Sequence, residues 1–440
     1  MITKFKSLLK HKGFIKYFKN TSWVLIEKII RFTVGLFVGV WVARYLGPER
    51  FGLLSYAQSF VGLFTIIASL GLNGIVVREL VKNNNLNDEI IGTAFWLKLI
   101  AAFGVLLILA VAINFTSNDT YTNILIFIIA SATIFQSFNV VDFYFQSKVM
   151  SKFVVYTNII SLFLSSIVKI TLILNEAPLL AFAWVILFDS FILACGFIYF
   201  YIKKNLRFKI KNLKLKIKTA TSLLKDSWPL ILSGIAISIY MKIDQVMIKE
   251  MMNAEAVGQY AAAVRLSEVW YFIPMVITAS LFPAIINAKK QSEDLYYARL
   301  QRLLDFMFWM AIAIALPMTF LSDRIVELLY GAQYNQAGSV LMIHIWAGVF
   351  VFLGVTSSKW FLVENLKMLS LQKAFYGMIT NIILNLILIP KYGIQGAAFA
   401  TLVSQAISTY IIDFFHIKTR KMFYMKSKTI FLTTILKKEY

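Results

Sequence analysis

Apolar runs long enough to cross a bilayer recur along this 440-residue chain from residue 22 to residue 416, and several carry charges in their middles. A crossing takes about 17–25 mostly apolar residues in one helix. About twelve stretches meet that length, centred on 22–45, 53–72, 90–114, 121–145, 154–174, 179–202, 228–251, 257–286, 303–322, 337–362, 375–391 and 395–416. The first holds Glu27, Lys28 and Arg31, the seventh Lys242 and Asp244, and the eighth Arg265 and Glu268. A charge in hydrocarbon costs at least about 2.5–3.5 kcal/mol, so such residues face a bundle interior or a water-filled cavity. The fold class is therefore all-α integral membrane, and a charged lumen implies polar cargo.

Composition removes the main alternatives. The chain is 59% hydrophobic with 38 Phe, above the roughly 45–50% of a soluble domain. Cys195 is the single cysteine, which excludes disulfides and cysteine metal sites. The net charge of +22 reads as membrane topology, with no basic stretch shaped for nucleic acid. The basic N-terminal segment is not a cleavable signal, because the run behind it is too long and contains three charges. With the N-terminus in the cytoplasm, 32 loop Lys and Arg fall on the cytoplasmic side and 4 on the other. That asymmetry places both termini inside and requires an even number of crossings.

The chain repeats itself. Ser22-Trp23 opens the first span and Ser227-Trp228 the seventh, 205 positions later; Gly52 and Gly258, in Phe51-Gly52 and Val257-Gly258, are 206 apart. Ala181-Phe182-Ala183 opens the sixth span and Ala398-Phe399-Ala400 the twelfth. Six spans per copy is an even number, so the copies form two lobes related by a pseudo-twofold along the membrane normal, with substrate expected near the midplane. This gives an N-terminal lobe at 1–202, a basic cytoplasmic linker at 203–226, a C-terminal lobe at 227–417 and a basic cytoplasmic tail at 418–440. The linker's nine basic residues are read as topology and contact with anionic lipid.

Particular strings then carry a family likeness. Trp41-Val-Ala-Arg44-Tyr-Leu-Gly47-Pro48-Glu-Arg-Phe51-Gly52 resembles the first-loop signature of Wzx-type bacterial polysaccharide flippases, and Gly71-Leu-Asn-Gly74-Ile-Val-Val-Arg78-Glu79 fits the same family. Tyr240-Met-Lys242-Ile-Asp244-Gln245 and Ala262-Ala-Val-Arg265-Leu-Ser-Glu268-Val-Trp270-Tyr271 resemble its seventh and eighth spans. Gly331-Ala-Gln-Tyr334, Asn381-Ile-Ile-Leu-Asn385 and Pro390-Lys-Tyr-Gly393-Ile-Gln-Gly396 extend the likeness over most of the chain; beyond Lys421 it ends. The superfamily includes drug-extrusion antiporters and the peptidoglycan-precursor flippase. The resemblance implies a MATE-like pair of six-helix lobes and alternating access. It also implies transfer of undecaprenyl-diphosphate-linked oligosaccharide, an O-antigen type of repeat unit, from the cytoplasmic to the periplasmic leaflet of the inner membrane. Lipid and polysaccharide assembly proteins are the partners expected from it.

That cargo gives the charges a role. Cationic side chains can replace the hydration of a diphosphate, and Arg can grip it with two parallel bonds. Lys28, Arg31 and Gly35 follow at helical spacing on one face; Glu27 lies four residues before Arg31 and neutralises it, and Gly35 and Gly39 permit close approach by a neighbouring helix. Arg265, about eight residues into its helix, is about 12 Å deep. Its competing reading is a Glu268 salt bridge that only fixes packing. Lys242 and Asp244 are two apart, so they point about 200° away from each other: either the helix unwinds, or one of them meets a neighbouring helix. The expected cavity cations are Lys28, Arg31, Lys242 and Arg265; the expected charge partners or ion carriers are Glu27, Asp142, Asp244 and Glu268; Arg44, Gly47, Pro48 and Gly52 are the family-signature positions. Lys98, Asp142 and Asp189 are deep with no evident partner, Lys169, Asp305, Lys359 and Glu364 lie near span ends, and His344 reads as a hydrogen-bonded structural histidine. Pro274 and Pro283 predict kinks in the eighth span.

No cofactor is expected. Without a Walker A loop, ATP cannot drive transport directly, which leaves a gradient of H⁺ or Na⁺, or consumption of the product outside. The alternatives are a cation or drug antiporter of the same superfamily, which should have a net acidic or aromatic cavity, and an integral-membrane glycosyltransferase or ligase. The latter would want a long periplasmic loop, and none separates these spans. Reporter fusions after Lys204 and at the C-terminus should read cytoplasmic and one after Asn118 periplasmic; a periplasmic C-terminus would sink the topology.

Overall fold

The computed structural model describes residues 12–83, 86–204 and 214–431. Of the basic residues counted above, Lys4, Lys6, Lys10, Arg207, Lys209, Lys211, Lys437 and Lys438 lie outside the described residues. Among the described residues every regular element is helical. Ten helical segments are long and apolar enough to cross a membrane. Two are far longer than one crossing, Ser22–Lys82 with 61 residues and Lys367–Phe415 with 49.

The long segments break where the sequence forces them to. At Gly47 the backbone turns to φ 71°, and at Gly393 to φ 58°; a side chain would strain either position. Pro48 then opens the next helix, where its missing N–H costs nothing. The eighth span is interrupted by a 3₁₀ turn at Val269–Tyr271, between helices Ala254–Glu268 and Phe272–Lys289, ahead of both prolines. Pro274 falls in the first turn of the second of these. The tenth also divides, into Ala337–His344 and Ala347–Val363.

The chain forms two compact units. One comprises Met1–Tyr45 and Phe60–Ile235; the other comprises Leu46–Ser59 and Ala236–Tyr440. The first is centred on buried Leu72, Val76, Leu80, Ile91, Phe145 and Tyr201. The second is centred on Tyr296, Leu300, Met307, Phe352 and Trp360, with Met422 and Met425 of a C-terminal helix, Arg420–Ile430, packed into it. The sequence reading gave that stretch no helix. Its anchor is polar: Thr429 donates to Asp305 at 2.5 Å, and Gln301 donates to the Met425 carbonyl at 3.1 Å.

Inside the second unit, residues 46–59 lie against the start of helix Ala254–Glu268 without intervening side chains. A Cβ on Gly52 would come 1.8 Å from the Ala254 carbonyl oxygen, and one on Gly258 would come 1.9 Å from that of Pro48. The contact is reciprocal in sequence: Pro48 and Ala254 are 206 positions apart, as are Gly52 and Gly258. Polar pairs extend it, with Ser59 donating to Gln245 at 2.8 Å and the Tyr56 hydroxyl to Glu250 at 3.2 Å. Lys249 Nζ stands 5.4 Å from the Tyr56 ring centre.

Valine at Gly52 or Gly258 should force these segments apart. In a Cys195→Ser background, a cysteine replacing the buried Ser55 should react with maleimide several-fold faster once Gly52→Val or Gly258→Val is added. Equal rates would mean that the glycine contact does not shield this seam.

Candidate functional site

Asp244 sits in the continuous helix Ile217–Met251, on the face turned into the second unit, and is 3% exposed. Its Oδ2 accepts from the Tyr260 hydroxyl at 2.7 Å and from the Thr401 hydroxyl; its Oδ1 accepts from Asn385 Nδ2 at 2.7 Å. Asn385 also donates to Asn381 Oδ1 at 3.1 Å. Three helices therefore converge on one carboxylate, and all five side chains are buried. The partners named are neutral donors, so the carboxylate is stabilised by hydrogen bonds rather than by a cation. Lys242, two residues earlier, is half-buried on the other side of the same unbroken helix. Of the two sequence alternatives, the one in which a residue meets neighbouring helices holds, and that residue is Asp244.

The arrangement has oxygen to spare. Asn385 Oδ1 and Asn381 Nδ2 are buried with no protein partner, in the same group of side chains as the Asp244 carboxylate and Thr401 Oγ1. Hard cations prefer such carboxylate, amide and hydroxyl oxygens. The same carboxylate could instead take up a proton. Among the described residues no cluster of three or more His, Cys, Asp or Glu stands elsewhere as a metal site.

Three further charges of the second unit, Lys242, Arg265 and Glu268, interact here. The Glu268 carboxylate lies in the field of Lys242, Asp244 and Arg265. Arg265 is exposed, with its guanidinium 5.8 Å from the centre of the Phe51 ring. Phe51 meets Tyr334 edge-on at 6.3 Å, and Gln259 holds the same turn by donating to the Gln333 carbonyl at 2.8 Å. Four of the strings that carry the sequence resemblance, around Gly47, Asp244, Arg265 and Tyr334, thus meet in one unit. His344 is buried and shares a 2.6 Å hydrogen bond with Ser267, the structural role read from the sequence.

In the first unit Glu27 is buried and receives Arg31 at 2.7 Å, as the four-residue spacing implied. Arg31 is exposed and Lys28 half-buried. A Cβ on Gly35 would meet nothing within 4 Å, so the expected close helix approach is not made there and this face stays open. Asp142 accepts from Gln146 at 3.0 Å and lies in the field of Lys98 and Glu27. Lys98 is buried, with its ammonium 5.2 Å from the Phe143 ring centre. Sequence reasoning left Lys98 and Asp142 unpartnered. The available signal was their shared depth in successive spans, where two opposite charges gain by meeting. Asp189 accepts from Ser161 at 2.6 Å. Arg44 is exposed at the end of the first span.

Ten helical segments of crossing length, several with charged residues buried along them, define a multi-pass membrane protein. The chain belongs to the polysaccharide biosynthesis protein family, whose model matches residues 17–289. It is 25% identical over 210 residues to the "Probable low-salt glycan biosynthesis flippase Agl15" of Haloferax volcanii, a match covering 46% of this chain and 44% of that protein. It is 19% identical over 403 residues to the capsular polysaccharide biosynthesis protein CapF of Staphylococcus aureus, covering 90% of this chain and 98% of CapF. Its fold superposes on the lipid II flippase MurJ with a TM-score of 0.75 at 16% identity, covering 94% of this chain and 92% of MurJ. A multidrug resistance MATE family transporter of the MOP superfamily gives a TM-score of 0.74 at 14% identity, covering 91% and 96%. The resemblance read from the signature strings is borne out in both family and fold.

Asp244→Leu would remove the acceptor that Tyr260, Thr401 and Asn385 share, at about 1–3 kcal/mol per buried donor left unmet. Asp244→Asn keeps one acceptor and the side chain's shape. Thermal unfolding of the purified protein should therefore shift strongly downward for Asp244→Leu and only slightly for Asp244→Asn. Equal shifts would deny that the carboxylate organises these helices.

Proposed function

We propose that this chain is a flippase that moves undecaprenyl-diphosphate-linked oligosaccharide from the cytoplasmic to the outer leaflet of the inner membrane by alternating access. The observation that carries the reading is the group of Asp244, Lys242, Arg265 and Glu268 in a polysaccharide biosynthesis chain. Each unit presents exposed arginine, Arg31 in one and Arg265 in the other, suited to a diphosphate that must leave water without losing its hydrogen bonds. Flippase names among the relatives and the MurJ fold support the class of cargo. Counting Ser22–Lys82 and Lys367–Phe415 as two crossings each brings the ten segments to twelve, with both termini cytoplasmic.

The cycle we infer uses two devices. The reciprocal packing of Gly52 on Ala254 and of Gly258 on Pro48 is a closed seam between matching parts of the two repeat copies, made to part and re-form. Bare backbone on backbone is a contact that can separate without exposing large apolar side chains. Asp244 is the coupling group, and H⁺ or Na⁺ is the coupling ion. Substrate phosphate attracted to Lys242 and Arg265 lowers the positive potential around Asp244 and Glu268 and so favours cation uptake. Release of the phosphate reverses this and expels the cation, making the exchange an antiport.

The test is transfer of a fluorescent lipid-linked oligosaccharide in reconstituted vesicles under an imposed pH or sodium gradient. Wild-type flipping should rise with the gradient, and Asp244→Asn should flip without responding to it. Arg265→Ala and Arg31→Ala should each cut transfer at least tenfold, with Lys restoring only part, since a point charge cannot make the two-pronged contact. Pairing Arg31→Ala with Glu27→Gln avoids stranding a buried carboxylate. Sugar transfer to an acceptor would establish the glycosyltransferase alternative, and gradient-driven export of a cationic dye the drug antiporter.

A further inference from the structure

At one end of the second unit a cleft of about 180 Å³ opens among Gln372, Lys373, Tyr376, Asp413, His416 and Thr419. Its floor is an ion cluster separate from the charges described above. The fully buried Asp413 carboxylate receives Lys373 Nζ at 2.6 Å on one oxygen and Lys426 Nζ at 2.8 Å on the other. Lys426, on the C-terminal helix Arg420–Ile430, is itself fully buried and also donates to the Thr409 carbonyl at 2.5 Å. That carbonyl belongs to the π-helical turn Ile407–Ile411, whose altered hydrogen-bonding register lets a backbone oxygen face a side chain. Lys373 completes its surroundings with the Phe361 ring, 4.3 Å from its ammonium.

Two ammonium groups thus share one carboxylate, and the cluster carries one positive charge in excess. Asp305, which the same C-terminal helix also contacts, is engaged by Thr429 and Gln301. Buried charge is strongly unfavourable unless it is paired, and the cleft is the side from which a counter-anion can reach Lys373. Gln372, Tyr376 and His416 supply neutral polar groups around it. The cleft has room for a phosphate group beside Lys373. The rim is apolar: Phe415 is 70% and Ile417 77% exposed, and Lys418, Arg420 and Lys421 follow directly. Exposed aromatic and aliphatic side chains beside a basic run belong at a membrane surface.

We propose that this cleft binds the phosphate of an anionic membrane lipid headgroup, which completes the Lys373–Asp413–Lys426 cluster and fastens the C-terminal helix to the unit. The proposal does not depend on what the chain transports. Its test is the unfolding temperature of the purified full chain, titrated with phosphatidylglycerol, phosphatidylcholine or inorganic phosphate. Phosphatidylglycerol should stabilise the wild type and phosphatidylcholine should not. Gln372→Glu places a carboxylate at the exposed mouth without touching the core, and Lys373→Met leaves the Asp413–Lys426 pair balanced. Each should raise the half-saturating phosphatidylglycerol concentration about tenfold, while Lys391→Gln, at an exposed position 18 residues further along the helix that carries Lys373, should not. Stabilisation equal in wild type, Gln372→Glu and Lys373→Met would overturn the site. Stabilisation by inorganic phosphate as strong as by phosphatidylglycerol, and lost in the same two variants, would overturn the lipid assignment in favour of a free anion.

Discussion

Hydrocarbon offers a polar group no water to fall back on, and every part of this chain answers to that constraint. Backbone N–H and C=O groups find partners within their own helices, which is why the described residues contain no other regular element. The same demand falls on side chains that cannot be placed at an end. Asp244 meets it with three neutral donors drawn from different helices, Glu27 with an arginine one turn away, and Asp413 with two lysines. These solutions differ in what they permit. A carboxylate held by neutral donors can accept a cation without first breaking an ion pair, whereas one already shared by two ammonium groups is committed to structure.

Glycine meets a second constraint, set by the backbone itself. Gly47 and Gly393 turn the chain where a side chain would be strained, and Gly52 and Gly258 bring two helices closer than any Cβ allows. Only the first pair bears on conformation; the second bears on contact. Both pairs stand within a few residues of the aromatic and charged positions that give the family strings their character, so the geometry of the turn and the placement of Phe51 and Arg265 are one arrangement.

Much of this was legible beforehand, and what was not has a physical reason. Hydropathy marks spans because a crossing has a fixed length, and Pro48 marks the break after the first because proline lacks a donor. The Glu27–Arg31 pair could be read because partners four apart share a helix face. Asp244 could be singled out as a buried charge, but its partners lie 16, 141 and 157 positions away in sequence. No local pattern specifies which neutral side chains a distant helix will present. That Lys98 lies within the field of Asp142 was hidden for the same reason. The C-terminal helix was missed because its sequence is basic and only weakly apolar; its hold on the unit combines Met422 and Met425 in the core with buried polar contacts at Lys426 and Thr429.

The compact units do not follow the order of the chain: Leu46–Ser59 groups with what comes after residue 235, and the helix Ile217–Met251 is shared, its first part grouping with what comes before. Recombination among relatives must respect this. A chimera joined once, in the loop before residue 217, would give the second unit a segment 46–59 from one parent and its glycine-packed counterpart from the other. Backbone packed this closely tolerates little mismatch, so such crossovers should be disfavoured unless residues 46–59 travel with the second half. Halves of these proteins are therefore poor units of exchange, however clear the internal repeat, and diversification should proceed by substitution inside one lineage more readily than by shuffling lobes between lineages.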